Sequence, residues 1–314
     1  MQTANIFPLD TARVQLGRHL EDAKISQRKA AKEIGISGTT LSQYLSGIYP
    51  GDNAEITEKV NQYLALQRQR KSLVQAPAFC NELPFAREML DKIRLVHVFS
   101  DIGIIYGEAG CGKTTALKRY CESNSEAVYV QADVCTRSVR AILKLILDAI
   151  GKRRQGSNSD IMAYLVGYFQ DTGTVILIDE AQHLSIKAVE AVRAIHDKAH
   201  IGIMFAGNRT VYNRMYGRNE EDFSQFYSRV GIHCRPENQY KAEHIQKLFP
   251  DVDNACVRYL KSIANQKGGL RIMIKQYMRA ANAANAVSEP IGITHFSYAA
   301  SESGMEWDNV SGKE

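Results

Sequence analysis

The feature that most constrains the fold is a series of short apolar runs, rich in β-branched residues, that alternate with helical patterns between residues 85 and 235. The runs are IGIIY at 102–106, AVYVQ at 127–131, TVILI at 174–178 and IGIMFAG at 201–207. Strands that are apolar along their whole length are buried on both faces, and strands separated by helices pair in parallel. The sequence therefore predicts an α/β domain with a parallel sheet covered by helices on both sides.

A glycine-rich segment directly after the first run fits the pattern G-x-x-x-x-G-K-[ST] of phosphate-binding loops. Its residues are Gly107, Glu108, Ala109, Gly110, Cys111, Gly112, Lys113 and Thr114, followed by Thr115. The loop lies between a predicted strand and a predicted helix, where backbone N–H groups and the helix N-terminus attract phosphate oxygens. We expect these residues to bind ATP, with Lys113 neutralising the β- and γ-phosphates and the Thr114 hydroxyl ligating Mg²⁺.

An acidic pair ends the third run, because Asp179 and Glu180 follow Val175–Ile178 directly. Open α/β sheets bind ligands at the carboxyl ends of their strands, so the pair is expected beside the phosphate loop as a Walker B element. We expect Asp179 to hold the metal through water. Glu180 is expected to polarise the attacking water.

A further polar residue, Asn208, ends the fourth run. If this strand lies beside the Walker B strand, Asn208 presents its amide to the γ-phosphate or to the nucleophilic water, although Asn at the end of a strand is also a common turn residue. The chain contains no Asn/Thr-Lys-x-Asp motif, by which GTPases recognise guanine. ATP is therefore favoured over GTP.

Changes in local pattern divide the 314-residue chain into three expected domains. Residues 1–67 carry short helical patterns, and residues 68–84 lose periodicity, begin with a basic cluster and contain two prolines, which is typical of an exposed linker. Residues 85–236 form the α/β domain, and residues 237–314 return to helical spacing as a small basic domain.

Composition excludes several classes of protein. The chain carries 39 Lys+Arg against 34 Asp+Glu, a net charge of +5, and no apolar run approaches the length of a membrane span. Six cysteines are scattered without zinc-ligand spacing. We expect a protein of the cytoplasm with reduced thiols and no membrane contact, and the small positive excess only weakly suggests nucleic acid.

Together, the phosphate loop, the acidic pair and the strand-terminal Asn208 resemble the AAA+ ATPases over residues 85–286. The resemblance implies that Asn208 is sensor 1, and that the run FSQFYSRV at 223–230 carries an arginine finger, Arg229, which reaches the nucleotide of a neighbouring subunit. Arg214 and Arg218 are alternatives for the finger. The segment GGLR at 268–271 resembles the sensor 2 element, so Arg271 is expected at the bound nucleotide.

Near the N-terminus, residues 26–47 are predicted to form two short helices around a glycine turn, which resembles the helix-turn-helix of Cro-like repressors. That resemblance places the second helix, residues 38–46, in the major groove of DNA. The expected DNA contacts are Gln27, Arg28, Thr39, Thr40, Gln43 and Tyr44. A helical pair that binds protein is the alternative, and the scarcity of Arg and Lys in the second helix argues against strong base-specific recognition.

Basic residues elsewhere are concentrated in three segments: RQRK at 68–71, KRR at 152–154, and the helical region 241–286, which carries a net charge of +5 by itself. Such a bias favours contacts with the phosphate backbone, which are sensitive to salt and independent of sequence. A solvated helical surface is the alternative.

A Cro-like module, a AAA+ core and a small basic helical domain together resemble the transposition B proteins of Mu-like phages. The resemblance covers nearly the whole chain and rests on GISGTTLSQYLSG, GEAGCGKT, VILIDEAQHL, FAGNRTVYNRM, FYSRV and GGLRIM. It implies an ATP-dependent protein that polymerises on double-stranded target DNA, activates a DDE transposase and leaves DNA on hydrolysis. The alternatives are a Cro-like transcription regulator that senses ATP and a AAA+ helicase loader.

Overall fold

The computed structural model describes residues 8–216, 229–236, 239–266 and 268–305. The chain splits into two compact units, Met1–Gln75 and Ala76–Glu314. The division falls within the expected linker, but the first part of that linker is helical, because the last helix of the first unit continues to Ser72.

The first unit is all-helical. Its described helices are α1 (Leu9–Asp22), α2 (Gln27–Ile34), α3 (Gly38–Leu45) and α4 (Asn53–Ser72). One core joins all four, built around fully buried side chains such as Leu16, Leu41 and Val60. The two short helices expected between residues 26 and 47 are thus present, and they pack on both long helices.

Local capping explains where the two short helices begin and end. The Ser26 hydroxyl accepts a hydrogen bond from the N–H of Lys29 at 3.3 Å, and the Ser37 hydroxyl accepts one from Thr40 at 3.0 Å. Serine at these positions satisfies N–H groups that have no partner inside a helix. Gly35, with φ of +81°, ends the first of the two helices in the left-handed conformation that glycine adopts without strain.

The second unit is built on a parallel sheet whose described strands lie in the order β2-β3-β4-β1-β5. The strands are β1 (Ile102–Tyr106), β2 (Ala127–Gln131), β3 (Val175–Asp179), β4 (Gly202–Gly207) and β5 (Val230–Cys234). The four strands predicted from the apolar runs are confirmed. The fifth was not among those runs, because it lies at the sheet edge and its middle residues are at least partly exposed.

Helices cover both faces of this sheet, as the apolar strands predict. The described helices are α5 (Pro84–Phe99), α6 (Lys113–Ser123), α7 (Val139–Ala149), α8 (Asn158–Phe169), α9 (Ile186–Ala199) and α10 (Arg209–Tyr216). Side chains of α5 and α6 pack with Ile105 in one core, whereas side chains of α7, α8 and α9 pack with Ile104 in another. Neighbouring residues of β1 thus belong to opposite faces, as the pleat of a strand requires.

The helices that follow the sheet are α11 (Ala242–Leu248), α12 (Asn254–Ala264), α13 (Gly269–Val287) and α14 (Ile293–Glu302). Buried Leu260, Met273 and Phe296 share one core with Met89 and Ile93 of α5. This shared core groups the helices with the sheet in the second unit, and the division into separate domains at residues 236 and 237 stays a prediction. Among the described residues, no helix is long and apolar enough to span a membrane.

Candidate nucleotide site

The glycine-rich loop joins the carboxyl end of β1 to the start of α6. It begins beside β4, because the N–H of Gly107 donates to the carbonyl of Gly207 at 3.2 Å. Gly110 and Gly112 have φ of +86° and +93°. Because side chains strain this left-handed conformation, the two glycines are required by the path of the loop. The loop is therefore formed where the sequence predicts it.

Gly110 also packs tightly against the start of α13. A Cβ on Gly110 would lie 3.0 Å from the carbonyl oxygen of Gly268, so a larger residue would push the two segments apart. Gly269 is more tightly constrained, since its Cβ would lie 2.2 Å from the carbonyl oxygen of Ala264, at the end of α12. The GGLR segment therefore packs against the phosphate loop through Gly268 and against α12 through Gly269.

Lys113, the first residue of α6, is almost fully buried, with 9% of its surface exposed. Its ammonium group donates to the carbonyls of Gly107 at 2.9 Å and Glu108 at 2.8 Å, and it lies 3.4 Å from the Cys111 sulfur. A buried ammonium group requires such acceptors. The loop that carries Lys113 thus also holds its charge at the N-terminus of α6.

Asp179, the last residue of β3, is 1% exposed and has both carboxylate oxygens engaged. Oδ1 accepts from the N–H of Glu180 at 2.9 Å, and Oδ2 accepts from the hydroxyl of Tyr129 at 3.0 Å. Burial, followed by the neighbouring Asp179 carboxylate, raises the pKa of Tyr129 well above its usual value, so this hydroxyl remains a donor at neutral pH. Sequence reasoning missed Tyr129, although it lies on the strand that pairs with β3.

Glu180 adopts φ of +54°, a left-handed conformation that is uncommon outside glycine. Its Oε2 accepts a hydrogen bond from the side-chain amide of Gln182, which lies in a short 3-10 turn, Ala181–His183. Non-glycine residues in this region persist where surrounding contacts hold them, often at functional sites. The bend at Glu180 directs the chain out of the sheet directly after Asp179.

Asn208 follows β4, which lies between β3 and β1 as expected for a strand beside the Walker B strand. Its backbone N–H donates to Oε1 of Gln182 at 3.3 Å, and its Oδ1 accepts from the N–H of Thr210 at 2.8 Å. Because the side-chain oxygen caps α10, the group that Asn208 can offer to a phosphate is its NH₂ donor.

A cavity of about 330 Å³ lies between the phosphate loop, the start of α6, Glu180 and α13, and neither Asp179 nor Asn208 lines it. Its lining includes the predicted residues Ala109, Gly110, Gly112, Lys113, Thr114, Thr115, Glu180 and Arg271. Sequence reasoning missed Lys275, which also lines the cavity one helical turn after Arg271. The i, i+4 spacing on α13 is the signal that could have identified it. Two cations of α13 therefore face the same space as the phosphate loop.

Arg229 does not line this cavity. It precedes β5, at the amino end of the sheet, and its guanidinium donates to Asp197 of α9 at 2.6 Å while its side chain is 50% exposed. Asp197 also accepts from Arg193 at 2.6 Å. Arg214 and Arg218 are the alternatives for the arginine finger. Their side chains, and the segment 223–228, are not among those that the structure describes.

The residues of the cavity fit a nucleoside triphosphate. Lys113, Arg271 and Lys275 supply positive charge, and the left-handed backbone at Gly110 and Gly112, which glycine adopts without strain, shapes the loop. The hydroxyl of Thr114 and the buried carboxylate of Asp179 are hard oxygen ligands of the type that Mg²⁺ prefers. The site has the groups that ATP binding requires.

In the N-terminal unit, Gln27, Arg28 and Thr39 are exposed, and Thr40 and Gln43 are partly exposed. The expectation that Tyr44 faces DNA is wrong, because its side chain is fully buried and its hydroxyl lies 2.8 Å from the Thr57 hydroxyl. Tyr44 follows Leu41 by three residues, so the helical period places both on the buried face.

A family model described as an AAA domain matches residues 100–215. The Mu-like prophage FluMu DNA transposition protein B of Haemophilus influenzae is 30% identical over 273 residues, 84% of this chain and 94% of that protein. The ATP-dependent target DNA activator B of Escherichia phage Mu is 24% identical over 296 residues, which cover 92% of this chain and 94% of that protein. The solved structure of the Aeropyrum pernix ORC2 protein has a TM-score of 0.52 at 19% identity, covering 73% of this chain and 69% of that chain, which supports the fold alone. This chain therefore belongs to the family of Mu-like DNA transposition B proteins and contains an AAA ATPase domain.

Proposed function

We propose that this protein is an ATP-dependent activator of target DNA in transposition. It assembles as a helical filament on double-stranded DNA in the bacterial cytoplasm, delivers that DNA to a DDE transposase and activates the enzyme. The observation that carries this proposal is the cavity where Lys113, Glu180 and Arg271 meet in a member of the transposition B family. The phage Mu relative is named an ATP-dependent target DNA activator, which supports the same activity here.

The proposed hydrolysis uses groups on both sides of the cavity. Lys113 and Arg271 bind the phosphates, and Glu180 orients and polarises the attacking water. Thr114 and Asp179 would hold Mg²⁺, which would neutralise negative charge on the bound phosphates. The NH₂ group of Asn208 donates to the γ-phosphate or to the water.

Arg229 is proposed to act on the nucleotide of the neighbouring subunit. Its half-exposed guanidinium lies at the opposite end of the sheet from its own cavity, which favours action in trans. Such an arginine stabilises charge in the transition state and makes hydrolysis depend on assembly. ATP then stabilises the filament, DNA stimulates hydrolysis by promoting assembly, and hydrolysis loosens the polymer.

Several basic side chains are proposed to contact the DNA backbone. Lys152, Arg153 and Arg154 are exposed in the loop between α7 and α8. In the C-terminal helices, Arg258, Lys261 and Arg279 are exposed. Other members of the basic set are engaged elsewhere: Lys247 pairs with Glu82 at 3.0 Å, while Arg271 and Lys275 line the nucleotide cavity.

The N-terminal unit has proposed DNA contacts of its own, on the solvent-facing sides of α2 and α3. Gln27, Arg28, Thr39, Thr40 and Gln43 are the proposed contacts. Since α3 carries no charged residue, contacts with base edges contribute little and the binding is largely independent of sequence.

The test measures binding of the full-length protein to duplexes of random and of defined sequence, at several lengths, with and without ATP. Electron microscopy of the same samples shows the products, and Lys113→Ala is the matched control that lacks the main phosphate contact. Filaments that require ATP, form on any sequence and gain affinity with duplex length are expected. Strand transfer by a DDE transposase of a Mu-like element should rise when these filaments are supplied as target.

Three outcomes contradict the proposal. Discrete complexes on one sequence, with a dimeric protein, indicate a transcription regulator that senses ATP. Binding to a replicative helicase without an effect on the transposase indicates a helicase loader. Filaments that form equally well with Lys113→Ala show that ATP does not control assembly.

A further inference from the structure

The side chain of Gln182 connects two strands of the nucleotide site. Its amide nitrogen donates to Oε2 of Glu180 at the end of β3, and its amide oxygen accepts the N–H of Asn208 at the end of β4, at 3.3 Å. Gly207 makes room for this bridge, since a Cβ there would lie 2.4 Å from the same amide oxygen.

The chemistry of the two partners fixes the orientation of the amide. An ionised carboxylate can only accept, and a backbone N–H can only donate. Gln182 must therefore turn its NH₂ group to Glu180 and its oxygen to Asn208. A glutamate of the same length would place a second carboxylate against Glu180, and a methionine of similar size would lose both hydrogen bonds.

We propose that Gln182 is a positioning residue for ATP hydrolysis, which fixes the carboxylate of Glu180 relative to the strand end that carries Asn208. With Oε2 held by the Gln182 amide, Oε1 is the oxygen directed to the attacking water. Glu180 lies between the end of β3 and the 3-10 turn, in a left-handed backbone conformation, and the amide of Gln182 in that turn restrains its carboxylate. The inference rests on the proposed function of Glu180 as the residue that polarises water.

The experiment compares kcat and KM for ATP, together with the Kd of a non-hydrolysable ATP analogue, in the full-length wild type and in Gln182→Met, Gln182→Glu and Glu180→Gln. A misplaced catalytic group costs about 10²-fold in rate. We expect kcat to fall about 30- to 100-fold in Gln182→Met and further in Gln182→Glu, because of charge repulsion. The Kd for the analogue should stay within about twofold of the wild-type value. The Tm should stay within about 2 °C of that of the wild type.

A double variant distinguishes positioning from a general effect on structure. If Gln182 acts through Glu180, adding Gln182→Met to Glu180→Gln causes no further loss of kcat, whereas independent effects multiply. If the losses of kcat multiply, or if Gln182→Met leaves kcat unchanged, the inference is overturned. Neither result contradicts the proposed function of Glu180. Should Glu180→Gln itself hydrolyse ATP at the wild-type rate, the proposed function of Glu180 fails instead. If Gln182→Met lowers Tm and analogue affinity along with kcat, Gln182 is structural and the inference is again overturned.

Discussion

The nucleotide site and the N-terminal helical unit both depend on glycines in the left-handed conformation. Gly110 represents the first region and Gly35 the second, and these two glycines have different surroundings. Gly110 in the phosphate loop, with φ of +86°, lies against the backbone of Gly268. Gly35, between α2 and α3, has φ of +81° and nothing within 4 Å of the position of a Cβ. One glycine is required by its backbone angle and by a contact between distant segments, the other by its backbone angle alone.

The polar groups of the nucleotide site differ in the same way from the helix caps of the N-terminal unit. In the nucleotide site, Lys113, Asp179 and Gln182 each have partners from other parts of the site, so a change at one residue affects its neighbours. In the N-terminal unit, Ser26 and Ser37 each accept a hydrogen bond from an N–H group three residues further along the chain, so these two caps act locally. Other polar groups of this unit join distant segments, since Arg13 donates to Asn53 at 3.0 Å and the Tyr44 hydroxyl lies 2.8 Å from that of Thr57.

Lys113→Ala is expected to have the largest effect, confined to the nucleotide site. The variant loses the charge that binds phosphates, and charge-assisted hydrogen bonds contribute about 1.5–3 kcal/mol each. ATP affinity should fall about a hundredfold, and hydrolysis should fall to background, measured by titration with a fluorescent analogue and by phosphate release. Circular dichroism should show an unchanged helical content.

The control for this variant is Lys187→Ala, which removes an exposed lysine at the start of α9. It should bind and hydrolyse ATP as the wild type does. If the two variants behave alike, Lys113 is not the principal phosphate contact.

Arg229→Ala should separate binding from hydrolysis. ATP affinity should stay unchanged, because Arg229 does not line the cavity of its own subunit. DNA-stimulated turnover should fall about 10³-fold, the usual effect of removing an arginine finger. Mixing Arg229→Ala with Lys113→Ala should restore part of the turnover, since mixed filaments place an intact arginine beside an intact phosphate loop. Unchanged turnover, or a mixture no more active than its parts, contradicts the assignment.

Gly110→Ala compared with Gly35→Ala tests the contrast between the regions directly. Both variants place a side chain at positive φ, which costs about 1–2 kcal/mol. Only Gly110→Ala also brings a Cβ to 3.0 Å from a carbonyl oxygen, so it should lower ATP affinity about tenfold. Gly35→Ala should lower the stability of the N-terminal unit and leave ATP affinity unchanged, as measured by chemical denaturation and nucleotide titration.

A matched control within the second unit is Gly151→Ala, because Gly151 has φ of +68° and nothing within 4 Å. It should lose stability without losing ATP affinity. Equal loss of ATP affinity in Gly151→Ala and Gly110→Ala would show that the contact with Gly268 does not matter for binding.

The nucleotide site could largely be predicted from sequence because its elements follow from backbone rules. Apolar runs form parallel strands, the carboxyl ends of parallel strands meet at one edge, and this placed the phosphate loop, Asp179 and Asn208 together. The bridge through Gln182 could not be predicted, since it depends on a 3-10 turn and on side-chain rotamers. The i, i+4 spacing places Lys275 on the same helix face as Arg271, but its position in the cavity depends on how α13 packs against the loop.

Tyr44→Phe has the smallest expected effect and sharpens the description of the helical unit. The variant removes the buried hydroxyl that lies 2.8 Å from the Thr57 hydroxyl, while Thr57 keeps its hydrogen bond to the Asn53 carbonyl at 2.7 Å. Loss of one buried hydrogen bond costs about 1 kcal/mol of unfolding free energy. DNA affinity should stay unchanged in Tyr44→Phe because the ring lies in the core. The comparison variant is Arg28→Ala, at an exposed position on α2, which should weaken DNA binding and leave stability unchanged. Fluorescence anisotropy with a random duplex and urea denaturation measure the two quantities. If Tyr44→Phe loses DNA affinity at unchanged stability, the Tyr44 hydroxyl contacts DNA and the description of Tyr44 as a core residue is contradicted.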